Sequence, residues 1–201
     1  SSLSQDAFAV IWTTTAWTIP ANQALNVHAE LSYALVQTPK GLLVLAESLV
    51  DKAMARYGFA ADDCQVVATT TGAKLEGLKF KHPLAHVDKG YDREAPMYLA
   101  EYVSAEDGTG IVHAAPAYGV DDFNSCVAHG LKFDDILNPV QGNGVYEADL
   151  PLFGGQHIWK AAPVVLETLR EHGRLLATQD IVHSYPHCWR HKTPVIFRAA
   201  A

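Results

Sequence analysis

The stretch YALVQTPKGLLVLA, residues 33 to 46, constrains the fold more than any other part of the chain. Tyr33 to Thr38 and Leu42 to Ala46 are short runs of strand-forming residues, and Pro39-Lys40-Gly41 between them is a turn sequence. Runs this close in sequence pair as an antiparallel hairpin. Further strands are expected over Phe8 to Thr15, Gln65 to Thr71, Met97 to Val103 and Ile111 to Ala114, the last two joined by the turn Asp107-Gly108-Thr109-Gly110. Leu175 to Val182 and Pro194 to Ala199 read as late strands. Helices are fewer. One begins at Ser48, with Asp51 as a weak capping-box partner, a stripe of Leu49, Val50, Ala53, Met54 and Tyr57, and a stop at Gly58. A second covers Asp121 to His129 before Gly130, and a third opens at Pro163 and runs to His172 before Gly173. Lys74 to Arg93 is polar, basic and reads as irregular.

Strands that come in hairpins and outnumber helices predict an α+β fold, with a mainly antiparallel, barrel-like β core and several surrounding helices. Regular strand-helix alternation is missing, and neither G-x-G-x-x-G nor a P-loop occurs, which argues against a doubly wound nucleotide fold. At 201 residues, 49% hydrophobic and 18% charged, the chain can bury a sizeable core as one domain over residues 1–201. Its net charge of −7 argues against wholesale nucleic-acid coating but allows a local basic patch. Cys64, Cys126 and Cys188 are too few and too irregularly spaced for a disulfide framework, and suit reduced thiols of a cytosolic protein. No apolar run approaches the roughly 20 residues that span a bilayer. The first residue is Ser and the last three are Ala-Ala-Ala, so a piece of a larger protein is expected.

Three stretches carry candidate chemistry. In WTTTAWTIPAN, residues 12 to 22, Thr13, Thr14 and Thr15 stand between two tryptophans. Plain β propensity explains threonines in a row, and Thr69 to Thr71 is a second such run. Clustered hydroxyls can also hold a sugar or orient a water, though alone they are poor bases. In GTGIVHAAPAYGVDDF, residues 108 to 123, a strand end at His113 and a helix start at Asp121-Asp122 face a common space. Either Asp can cap the helix; one suffices, leaving the other for a cation such as an ammonium group. His113 alone reads equally as a satisfied core histidine. In HSYPHCWRHKTP, residues 183 to 194, Cys188 and His191 have half of a zinc-site spacing, with His183 and His187 nearby. No second pair occurs, so no metal is assigned. Trp189, Arg190, Lys192 and Arg198 there form a basic, aromatic edge that suits a phosphate backbone. There is no G-x-S-x-G elbow, and Cys126 reads as packing.

Together the three stretches resemble the editing domain of isoleucyl-tRNA synthetase. WTTTAWTIPAN is similar to that family's WTTTPWT(L/I)PAN, and the second stretch to its GTG, VH, AP and DD element. HSYPHCWRHKTPVIFRA resembles the strand-rich exit by which the insertion returns to the synthetase body. The blocks follow the family's order and stretch across the chain. Valyl and leucyl relatives carry Arg in their threonine element, whereas position 15 here is Thr. The synthetic signatures H-I-G-H and K-M-S-K-S are absent, so no amino-acid activation is expected of this chain. Ala16 departs from the usual Pro, which loosens a restraint on Thr15.

The resemblance implies hydrolysis of valine wrongly esterified to the 3′ end of isoleucine tRNA, and leaves open whether valyl-adenylate is cleaved here as well. One methylene discriminates by only about 1–3 kcal/mol, a limit for which this synthetase family is itself the standard illustration. Carried over by motif, Asp122 binds the α-ammonium, and Thr13, Thr14 and Thr15 face the ribose, ester and water. His113 limits the side-chain pocket, while Trp17, Thr18 and Asn22 support it. The resemblance requires no cofactor in this domain; ATP belongs to the full-length enzyme. It implies tRNA and the rest of the synthetase as partners, no membrane, and a cytoplasmic location. A non-catalytic module for the tRNA 3′ end, a free-standing trans-editing hydrolase and a small-molecule or zinc-binding barrel remain open alternatives.

Overall fold

The computed structural model describes residues 5–182 and 185–199. Along the chain run β1 (Ala7–Ala9), β2 (Ala24–Val27), β3 (Ser32–Thr38), β4 (Gly41–Ala46), α1 (Val50–Tyr57), β5 (Gln65–Thr71), β6 (Lys79–Lys81), β7 (Glu94–Leu99), β8 (Val112–Ala114), α2 (Val120–Ala128) and α3 (Ile158–Glu171). The predicted hairpin is β3 and β4, in register from Tyr33 opposite Ala46 to Thr38 opposite Gly41. Thr38 ties its turn: Oγ1 accepts from the Lys40 N–H and donates to the Gly41 carbonyl. Gly41 sits at φ 103°, where a Cβ would be strained.

The strands form two sheets, ordered β1-β4-β3-β5 and β6-β7-β2-β8. Among the described residues neither sheet closes, so two open sheets replace the expected barrel-like core. Both are mixed: β1 with β4 and β2 with β7 run parallel, and the other named pairs are antiparallel. α1 covers the first sheet through Val50, Ala53 and Met54, packed with Val36, Leu43 and Leu45. Gly58 ends α1 in the left-handed conformation, but Ser48 caps nothing with its side chain. The two sheets meet over Leu25, Val27, Tyr33, Ala46 and Met97.

The loop Gly108-Thr109-Gly110 rivets that junction. Ala46 of β4 donates to the Thr109 carbonyl at 2.8 Å, and the Tyr33 hydroxyl to the Gly110 carbonyl at 2.7 Å. Gly110 lies at φ 72°, and a Cβ there would stand 2.4 Å from Ala46 Cβ.

Several expectations are corrected. β7 and β8 are not a hairpin, because β2 lies between them, antiparallel to β8 and parallel to β7. The expected first strand stops at Ala9, and only an isolated bridge pairs Trp12 with Val112 before the threonines. α3 begins at Ile158, five residues before Pro163, with the His157 ring accepting from the Trp159 N–H. Residues 175–182 form no strand, and the bridge of His187 with Pro194 is what pairs in the second late stretch. Lys74 to Arg93 contains the short strand β6.

Candidate functional site

The threonines stand in a loop that ends in a buried 3-10 helix, Ala16–Ala21. Such a segment cannot bond all its own carbonyls, so side chains from distant parts of the chain must do so. The Tyr146 hydroxyl donates to the Trp17 carbonyl. His82 reaches the Ile19 carbonyl at 2.8 Å through Nε2, while its Nδ1 accepts from the Leu84 N–H. Arg93 donates to the carbonyls of Pro20 and Asn22. α3 packs over the segment through Ala161, Val165 and Leu169. Burial holds His82 near pKa 3, so it is neutral at pH 7.

This anchored segment presents one wall of a cleft of about 450 Å³. Thr13, Thr14, Thr15, Trp17, Thr18, His113 and Asp122 all line it. Asn22 lies behind His113 and holds it. The Thr15 N–H donates to Thr13 Oγ1 at 3.0 Å, and Oγ1 of Thr14 and of Thr15 are 3.4 Å apart. Thr15, at φ −128°, is already extended in φ, as a following Pro requires. Ala16 opens the 3-10 helix, a position at which Pro is tolerated.

The hydrogen bonds around His113 determine its tautomer. Asn22 Nδ2 lies 2.9 Å from the Ala24 carbonyl, so it is the amide nitrogen and its second proton points to His113 Nδ1, 2.7 Å away. Nδ1 is therefore the acceptor, and Nε2–H donates to Thr18 Oγ1 at 2.9 Å. Thr18 passes its own proton to the Thr15 carbonyl, also at 2.9 Å. Burial lowers the His113 pKa to about 4. With both nitrogens engaged and protonation disfavoured, His113 is a rigid neutral wall and a poor general base.

Asp122 lies in the first turn of α2, and neither it nor Asp121 caps that helix through its side chain. Its carboxylate folds back to the end of β8 instead, Oδ2 accepting from the Ala115 N–H at 3.0 Å. Oδ1 accepts from the Tyr102 hydroxyl at 3.1 Å. Gly119 permits this fold-back, because a Cβ there would lie 2.9 Å from Oδ2. Burial raises the Asp122 pKa, the two hydrogen bonds oppose that rise, and Asp121 adds to it. Asp122 enters none of the ion pairs among the described residues. A carboxylate has about four acceptor sites, so capacity remains on the cleft side for a cation.

The far wall was not foreseen as part of the site. Tyr118, Tyr185, Pro186, Val195 and Phe197 line the cleft, so the carboxyl-terminal stretch folds back across it. Ala199 donates to the Ala117 carbonyl, and Arg198 to the Val140 carbonyl. That bond ties Arg198 Nε to the backbone at Val140, while the residue itself stays exposed. Trp189 stays 74% exposed, with the Arg190 guanidinium 4.9 Å from its ring centroid. Cys188 Sγ and His191 Nδ1 are 3.4 Å apart, but no group of three potential metal ligands occurs among the described residues. His183 lies outside the described residues.

The chain is 61% identical over its whole length to an isoleucine–tRNA ligase of Chromohalobacter salexigens, and 57% identical over 96% of its length to one of Cupriavidus necator. The chain belongs to the isoleucyl-tRNA synthetase family. It spans 20% of the length of these relatives. No protein-family model matches. Among solved structures, the fold is similar to that of GlLeuRS-CP1, with a TM-score of 0.64 and 14% identity over 90% of this chain and 84% of that one. It is also similar to the editing domain of the P. knowlesi cytosolic leucyl-tRNA synthetase, with a TM-score of 0.58 and 10% identity over 84% of this chain and 83% of that one. At such identities the likeness is one of fold. The family membership and the shared fold thus rest on separate comparisons. No helix among the described residues is long and apolar enough to cross a membrane.

Proposed function

We propose that this chain is a single editing domain that hydrolyses valine from misacylated isoleucine tRNA. One observation carries the reading: an Asp122 carboxylate that enters none of the ion pairs among the described residues shares a cleft with three threonine hydroxyls and a neutral His113. The α-ammonium of an aminoacyl ester pairs with Asp122, which places the ester toward Thr13, Thr14 and Thr15. The hydroxyls hold the terminal ribose and the attacking water. His113, locked by Asn22 and Thr18, bounds the space for the amino-acid side chain, and Trp17 lines the same cleft. None of these groups is a strong base, so the rate comes from positioning and from the substrate's own ribose hydroxyl. Valyl-adenylate carries the same ammonium and acyl group and is a second candidate substrate. The rest of the synthetase delivers the tRNA end, in the cytoplasm, where tRNA is charged.

The decisive experiment is deacylation of valyl-tRNA by the chain and by Asp122→Ala. Loss of turnover with an intact fold supports the assignment, and normal turnover in the variant sinks it. Binding of tRNA without any hydrolysis by the unaltered chain would favour a non-catalytic 3′-end module. Replacing His113 by a smaller residue should expose isoleucyl-tRNA to attack; unchanged selectivity removes His113 from the sieve.

A further inference from the structure

A polar relay on the side of Asp122 away from the threonines is used by nothing described so far. Asn26 sits in the middle of β2, a strand with all four residues buried. A fully buried amide must find partners on both its oxygen and its nitrogen. The Ser125 hydroxyl, on α2, donates to Asn26 Oδ1 at 3.1 Å. Asn26 Nδ2 in turn donates to the Tyr102 hydroxyl at 2.6 Å. Because that oxygen already accepts from Asn26, its own proton is directed to Asp122 Oδ1, 3.1 Å away. The relay therefore has one sense, from Ser125 through Asn26 and Tyr102 to the carboxylate.

We propose that Tyr102 is a positioning residue for the editing reaction: oriented by Asn26, it fixes the rotamer and the charge of Asp122 so that the carboxylate meets the substrate ammonium. This rests on the function proposed above. Two fixed donors, the Ala115 N–H and the Tyr102 O–H, take one site on each oxygen and leave one on each free, on a carboxylate that lines the cleft. Tyr102 does not touch substrate in this account. Burial raises its own pKa, so the phenol stays a donor throughout the working pH range. Asp121 is the other titratable group that acts on Asp122, and it disfavours the carboxylate's charge; the Cys126 thiol is pushed up to about 12 by burial and then by Asp122 itself.

Removing the phenol proton removes one charge-assisted hydrogen bond, so the Asp122 pKa should rise by about one pH unit in Tyr102→Phe. Two measurements test this on the chain. Carbon-13 NMR of the Asp122 carboxyl should show that rise directly, without reference to activity. Deacylation of valyl-tRNA should fall about tenfold in kcat/KM at pH 7, with the acid limb moved upward by the same amount, and Tyr102→Phe should add nothing further in an Asp122→Asn background. An unchanged Asp122 pKa together with an unchanged acid limb overturns the proposal. If Asp122→Asn itself leaves deacylation intact, the functional reading fails instead. A Tyr102 effect that persists fully in the Asp122→Asn background overturns the relay while leaving the function standing.

Discussion

Gly119→Ala isolates the geometry of Asp122 with one methyl group. Gly119 has φ −137°, ordinary extended backbone, so alanine brings no conformational strain. Its smaller freedom in the unfolded chain alone would stabilise the fold by about 0.4–1 kcal/mol. The new Cβ, however, would stand 2.9 Å from Asp122 Oδ2 and 3.0 Å from Cγ. Those contacts are closer than van der Waals separation, so the carboxylate has to turn. Turning breaks the bond from the Ala115 N–H, a hydrogen bond to a charged acceptor that contributes about 1.5–3 kcal/mol. The net expectation is a modest destabilisation of about 0.5–2.5 kcal/mol, read as a lower urea midpoint at unchanged m-value. A carboxylate turned away from the ammonium loses an interaction of the same class, so kcat/KM for valyl-tRNA should fall about 10- to 150-fold. Deacylation kinetics at subsaturating substrate measure this directly. Activity within twofold of the parent, with the fold intact, would refute the claim that the fold-back of Asp122 creates the ammonium site.

Acid should destabilise the fold through its buried histidines. Both His113, near pKa 4, and His82, near 3, stay neutral when folded but bind a proton when unfolded, from an ordinary value of 6.5. The unfolded state therefore gains protons first as pH falls, and stability is lost from 6.5 downward, by about 2 kcal/mol for each histidine at pH 5. Asp122, whose pKa is raised, acts in the opposite direction in the carboxylate range and offsets part of this. Urea midpoints equal at pH 7 and pH 5 would contradict it. Gly110→Ala puts a side chain at φ 72° and 2.4 Å from Ala46 Cβ, so it should cost about 2–5 kcal/mol, measured by urea unfolding. Arg93→Lys should lower the melting temperature nearly as much as Arg93→Met, because a fork is needed to serve the Pro20 and Asn22 carbonyls together; a lysine variant as stable as the parent would show that one contact suffices.

Local signals were legible where strand and turn chemistry agree. The hairpin over residues 33 to 46, β5 and the stop at Gly58 follow from propensity and turn residues alone. β2 was invisible for a physical reason: Ala24–Val27 is buried on both faces, so it has no polar alternation, and Asn26 in its centre reads as a breaker. Without a signal for β2, the turn residues 107 to 110 are what link β7 to β8 in the sequence. The start of α3 is not legible from Pro163, which suits a first turn but lies inside the helix, while His157 supplies the cap. In the site, the residues on the two motifs were recognisable as candidates from their resemblance. Tyr102 and Arg93 were not, since each acts on a group more than 15 residues away that only the tertiary fold brings near.

The chain holds three consecutive threonines twice, and the two runs have different fates. Thr69 to Thr71 lie in β5, where each residue pairs across to β3, opposite Ala34, Tyr33 and Ser32. Propensity alone accounts for them. Thr13 to Thr15 have the same propensity but no strand. Their neighbours decide the matter. Trp12 bridges to Val112, and Ala16 opens a segment buried under α3. Between those anchors the Thr15 carbonyl is taken by Thr18, whose N–H and hydroxyl both donate to it. A strand would need that carbonyl for its ladder. Thr18 is held in turn by His113, and His113 by Asn22. The loop shape is thus set by the same hydrogen-bond chain that makes His113 a neutral wall. Breaking any link frees the threonines and the wall together, which ties the placement of the hydroxyls to the size of the pocket they face.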